Sequence, residues 1–180
     1  MPNWCLNNVQ ITHDDPAKLY ELLDAYKRGE LMEHFLPTPR DPEDPTKLLG
    51  VGTPMTIGGN DWYNWRVANW GTKWDVGGED AFFQLFFSND NDVSSDHPEG
   101  IVLSFDSAWS PPIEFYSFMK SEHGFDIRAS YFEPGIGFCG DWIDGMDNYY
   151  ECEWHDFPTH LIEEYNMVEF YEEEEEEHEV

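Results

Sequence analysis

Four residues late in the chain, Cys139, Cys152, His155 and His160, are of the types that hold zinc. Their spacing contains neither a Cys-x-x-Cys nor a His-x-x-x-His pair. If 149–157 is extended, Cys152 shares a face with Tyr150 and Trp154 while His155 points away, so no zinc site is expected. Cys5 and Cys139 read as small buried side chains. Asp141, Asp144 and Asp147 recur every three residues across a Gly-containing turn and offer weak binding to a hard cation, but the full calcium-loop pattern is missing. Ser107 or Ser110 with His123 and Asp106 supplies the residue types of a nucleophile, base and acid. No Gly-x-Ser-x-Gly elbow accompanies them, and His123 suits a helix C-terminus, where imidazolium is favoured. The glycine-rich segment 49–60 lacks the Gly-Lys-Ser/Thr that cradles phosphate. A two-metal nuclease would need fixed carboxylates plus positive charge to receive phosphate, and no such set is identifiable. No catalytic residue, metal ligand or cofactor is assigned, and enzyme activity is left open as the lesser reading.

Charge is more informative. The chain has 180 residues, with 38 Asp+Glu against 9 Lys+Arg and a formal charge of -29. A phosphate-neutralising nucleic-acid binder is thereby disfavoured, and any charged partner is expected to be basic. The last Lys or Arg is Arg128, and residues 129–180 carry 17 acids without a compensating cation. Composition nevertheless predicts folding, since 40% of residues are hydrophobic and 17% aromatic. Three cysteines give no disulfide framework, no basic leader precedes an apolar run, and no stretch approaches a membrane span, so a cytoplasmic location is expected.

The elements follow from periodicity. Residues 4–12 read as a strand with Trp4, Leu6 and Asn8 on one face and Cys5, Asn7, Val9 and Ile11 on the other; neither face is cleanly polar. Asp14 or Asp15 caps a helix opened by Pro16, with Leu19, Leu22, Leu23 and Tyr26 as its stripe and Gly29 as its stop. Prolines 37, 39, 42 and 45, then the glycines to 60, predict an inserted loop. A short helix is expected at 61–70, a doubly buried strand at 81–87, a strand at 101–106, a helix from Pro111 to about Lys120 capped by Ser110, and a strand at 125–131. That order predicts an α+β, ferredoxin-like split β-α-β sandwich with an antiparallel sheet. A C-terminal hairpin, 136–142 with 149–157, would extend the sheet, with turns around Asp144-Gly145 and Asp147-Asn148, before a short closing helix. The domain is expected to run from 1 to 168, with the insertion and short helix at about 37–75 and an acidic disordered tail at 169–180.

Four tryptophans fall between 62 and 74, which fits either a hydrophobic cover over the sheet or an exposed partner surface. Trp109 is expected to wedge between helix and sheet, with 70–75 packed beside it. Met1-Pro2-Asn3-Trp4-Cys5-Leu6-Asn7-Asn8, Trp70-Gly71-Thr72-Lys73-Trp74-Asp75 and Phe105-Asp106-Ser107-Ala108-Trp109-Ser110-Pro111-Pro112 together resemble small phage and plasmid proteins with the YubB-type ferredoxin-like domain. Ser107 departs from the threonine expected there, and the proline-rich insertion and polyglutamate tail also leave the pattern. The resemblance implies a fold and a mobile-element origin, with no catalytic residues to carry over. Combined with the charge, it leads us to expect an accessory protein that binds a basic host protein, in the host cytoplasm if phage-encoded, as a nucleic-acid mimic or inhibitor of host defence. The alternative is a non-catalytic structural domain whose acids keep it hydrated, with a metal-dependent enzyme a more distant third. The partner surface is assigned to Trp62, Trp65, Trp70, Lys73, Trp74, Asp75, Trp109, Glu133, Glu151 and Glu153, with no direct contact to nucleic acid or membrane.

Overall fold

Strand β1 (Trp4–Thr12) alternates as its sequence does: Cys5, Asn7, Val9 and Ile11 are buried, while Trp4 and Leu6 reach solvent. The computed structural model describes residues 3–51, 59–87 and 97–171. Helix α1 (Pro16–Lys27) starts where Asp15 Oδ1 accepts from Ala17 N at 2.9 Å, and it buries Leu19, Leu22, Leu23, Ala25 and Tyr26. The predicted turn after Gly29 is one short helix, α2 (Leu31–Phe35). Within the insertion, Arg40 bridges Leu48, Leu49 N–H donates to Pro39 O at 3.0 Å, and Trp62 N–H donates to Leu49 O at 2.8 Å. Gly52 and Gly58 lie outside the described residues, as do residues 88–96 between the two strands expected at 81–87 and 101–106.

Helix α3 (Trp62–Trp70) is capped by Asp61 and stopped by Gly71 at φ +84°. A Cβ at Gly71 would meet the Glu114 carboxylate and Pro111 O, so glycine permits the close approach to the next helix. Then follow β2 (Phe82–Phe86), β3 (Gly100–Ala108), α4 (Ile113–His123), β4 (Asp126–Glu133), β5 (Phe138–Ile143), β6 (Met146–Glu151) and α5 (Thr159–Glu164). The six strands are ordered β2-β3-β1-β4-β5-β6, antiparallel throughout. Four of them make the expected ferredoxin-like sheet, and β5 and β6 extend it beyond β4.

One sheet face carries the main core. Val9, Ile11, Leu103 and Ile127 pack with Leu19, Leu22, Tyr26, Phe115, Met119 and the fully buried Trp70. Each such burial contributes about 1.5–3 kcal/mol, which opposes the repulsion among the acids. The opposite face holds a second core at its β4–β5 end, built from Phe132, Cys139, Phe157, Leu161 and Met167 with Tyr165, Phe170 and Tyr171 against them. Packing in this core continues to Tyr171; residues 172–180 lie outside the described residues.

Several expectations are corrected. Strand β2 is an edge strand with Phe82 exposed, because no layer covers its open side. The hairpin closes in a two-residue turn at Asp144 (φ 54°) and Gly145 (φ 88°), so Asp147 and Asn148 belong to β6 and the chain leaves the sheet after Glu151. Ser110 does not cap α4: with Pro111 and Pro112 intervening, the helix starts at Ile113, and Ser110 Oγ donates to Gly71 O at 2.5 Å instead. Trp109, at φ 75°, is no wedge; it is exposed, with its N–H donated to Asn3 O at 3.0 Å.

Candidate functional site

The tryptophans of 62–74 divide between the two roles considered for them. Trp70 is wholly buried, its indole N–H donating to Leu36 O at 2.9 Å, and so cannot meet a partner. Arg66 lies over the Trp70 ring (4.3 Å) and the Trp62 ring (5.3 Å), pairs with Glu33 at 3.4 Å and donates to Thr38 Oγ1 at 2.9 Å. Trp65 stands edge-on to Trp70 at 6.1 Å, and both Trp62 and Trp65 are half-buried. Trp70 and Trp65 are thus the residues of this helix that pack into the main core.

Beyond Gly71 the chain turns outward. Thr72 Oγ1 donates to Ala108 O at 2.9 Å, which sets the 70–75 segment beside 108–110 as expected. Lys73 Nζ lies 4.7 Å from the Trp74 ring centroid, and Trp74 stands 5.7 Å from Trp4. Exposures of 45% for Trp4, 36% for Trp74 and 43% for Trp109 mark three surface indoles at this end of β1 and β3. Asp75, by contrast, works inside the fold. Its carboxylate accepts from Met32 N and Glu33 N, both at 2.8 Å, and from Val76 N at 2.9 Å, capping α2 from a distance. Burial raises its pKa, with these bonds and Arg66 opposing.

Glu133 is likewise withdrawn. It is 1% exposed and accepts from Gly135 N at 2.8 Å and Ile136 N at 2.6 Å, holding the β4–β5 turn. Glu151 and Glu153 are exposed, but Glu151 lies on β6, three strands from β1, so the structure does not join them to the tryptophans. Glu151 accepts from Tyr149 OH at 2.8 Å.

A groove on the uncovered side of the sheet brings together residues the sequence left scattered. Trp4, Leu6 and Asn8 of β1 align in register with Ala108, Asp106 and Ser104 of β3, and Phe82 lies opposite Ser104. With Trp74 and the 75–81 loop on one side and Tyr165 on the other, they line a cavity of about 810 Å³. Gly78 N–H donates to Tyr26 O at 2.9 Å and pins this loop to α1; at Gly77 (φ 100°) a Cβ would strike the same carbonyl. The far wall is held by Glu164 Oε1, which accepts from Asn8 Nδ2 at 3.0 Å and Ser130 Oγ at 2.6 Å.

Among the described lining residues the carboxylates are Asp75, Glu79, Asp80 and Asp106, and there is no Lys, Arg or His. Partial desolvation raises the Asp106 pKa, and burial raises that of Tyr26 to about 12. Trp4, Phe82 and Tyr165 were not nominated from the sequence; the mixed apolar–polar character of the even positions of β1 was the available signal for the first.

The candidate chemistries do not assemble. Ser107 Oγ accepts from Asn7 Nδ2 at 2.9 Å and donates to Ser110 O at 2.7 Å, while His123 packs against Phe35 and Phe118 at the far end of α4. Asp141 pairs with Asn148 across the strands and Asp147 with Trp142, which sets the two carboxylates on opposite faces. Asp141 Oδ2 lies 3.0 Å from His160 Nε2, and Asp147 accepts from Tyr131 OH at 2.5 Å. His155 lies in the 3-10 turn Trp154–Asp156, not in the expected strand. Among the described residues no group of three or more His, Cys, Asp or Glu is placed to hold a metal ion, and no helix is long and apolar enough to cross a membrane.

No family model matches the chain, and no curated protein matches it. Among solved structures it is similar to the crystal structure of a protein api92 from Yersinia pseudotuberculosis, family-model DUF1281, at 12% identity and a TM-score of 0.45, covering 88% of this chain and 100% of that one.

Proposed function

We propose that this chain is an acidic binding module that engages a basic host protein, acting as a nucleic-acid mimic or inhibitor in a phage or mobile-element setting. The observation that carries the reading is electrostatic: 38 acids against 9 Lys+Arg, with 17 acids and no cation after Arg128, on a chain that still builds two apolar cores. Such a charge excess disfavours phosphate and raises encounter rates with cationic surfaces. The N-terminal Pro2-Asn3-Trp4-Cys5 and the Ala108-Trp109-Ser110-Pro111-Pro112 segment, which resemble YubB-type proteins, support the mobile-element setting.

Binding to a defined basic nucleic-acid-binding protein, measured by surface plasmon resonance at about 0.1 M and 1 M salt, tests the reading. The Debye length falls from about 10 Å to about 3 Å across that range, so affinity should fall steeply. Duplex DNA should compete. Reversing Glu151 and Glu153 to Lys should raise Kd more than removing residues 172–180, which should mainly slow association. Salt-independent binding, or no binding to any of a panel of basic proteins, overturns the proposal in favour of an accessory domain whose acids serve hydration.

A further inference from the structure

We propose that the groove between Trp74, Phe82 and Tyr165 is a receptor for an arginine side chain presented by an extended segment of the basic partner. The inference rests on the proposed function and gives it a location. The surface is partly open and mixes apolar with polar groups, with Trp4, Trp74 and Phe82 exposed, and its charged lining is wholly anionic among the described residues. A second copy of a chain with charge -29 is repelled from it, so the complementary occupant is cationic.

Two features favour guanidinium over a bare ammonium. Indole faces at Trp4 and Trp74 suit the stacking of a flat cation, with one face of Trp74 already taken by the Lys73 ammonium. Asp106 lies among them with no hydrogen bond to any described residue, leaving both carboxylate oxygens for a bidentate pair. The volume of about 810 Å³ falls within the size range of small-molecule sites, room enough for one arginine side chain.

The test uses the full chain and capped peptides Ala-Arg-Ala, Ala-Lys-Ala and Ala-citrulline-Ala, followed by tryptophan fluorescence and by amide chemical shifts. Arginine peptide should shift the resonances of Trp4, Trp74 and Asp106, with citrulline binding at least tenfold weaker and lysine between the two. Asp106→Asn should weaken the arginine peptide at least tenfold, and Trp74→Ala at least threefold. The double variant Glu43→Gln/Glu122→Gln removes two exposed acids away from the groove and should leave the affinity within twofold.

Equal binding of arginine and citrulline peptides, or an equal loss in the Glu43/Glu122 variant and in Asp106→Asn, overturns the inference. A basic protein that binds wild type and Asp106→Asn with the same Kd overturns the groove while leaving the proposed function standing. Peptide binding that depends on Asp106, with no basic protein bound, leaves the receptor and removes the larger reading.

Discussion

Asp106 is a carboxylate with no hydrogen-bond donor among the described residues, and partial desolvation raises its pKa. An unfolded Asp titrates near 3.9, so the native state holds this proton more tightly. The resulting destabilisation is absent below about pH 3.9 and grows as pH rises through the folded-state value. Asp106→Asn should accordingly melt at a higher temperature than wild type at pH 7, with the gain shrinking as pH falls toward about 4 and gone below it; identical melting curves at pH 7 would refute this account. Asp75 shows the opposite arrangement, because its three backbone donors make it structural. Asp75→Ala should cost about 0.5–2 kcal/mol in urea unfolding by stripping the first turn of α2 of its acceptor, whereas a loss below about 0.3 kcal/mol would mean that water replaces it fully. The sequence reading puts Asp75 on the partner surface and Asp106 only among the residue types of a triad. What separates their roles is the bonding of Asp75 to residues 32 and 33, more than forty positions away, which no local spacing encodes.

Elements with a strong local period were the most legible. Asp15, Pro16 and the Leu19–Tyr26 stripe determine α1 almost alone, and the Asp-Gly pair supplies the hairpin turn. Strand β2 was misjudged because an apolar run has the same composition at a sheet edge as in its centre; only the covering layer distinguishes them. The second core was legible only in part. Leu161, Ile162, Tyr165 and Met167 indicate a helix, but their seat on Phe132, across the sheet from α1 and α4, depends on which face of β4 remained uncovered. Phe132, 1% exposed, contacts Tyr165, Phe170 and Tyr171. Phe132→Ala should cost about 3–5 kcal/mol and speed proteolysis within 157–171. A cost under about 1 kcal/mol would show that the C-terminal segment lies loosely on the sheet.

For the molecule as a whole, the charge was fully legible and the partner surface was not. Of the ten residues assigned to that surface, Trp70, Asp75 and Glu133 serve the interior, since aromatic and acidic residues carry no sequence mark of which side they face. A chain of charge -29 with two apolar cores folds against its own field, so added salt should stabilise it. Its melting temperature should rise by several degrees between about 0.02 M and 0.5 M NaCl, and a flat response in calorimetry would show that the acids are spaced widely enough to ignore one another. Tyr165 belongs at once to the second core and to the groove wall. An occupant of the groove and the C-terminal segment would therefore share one anchor, and reciprocity requires each to change the hold of the other by the same factor.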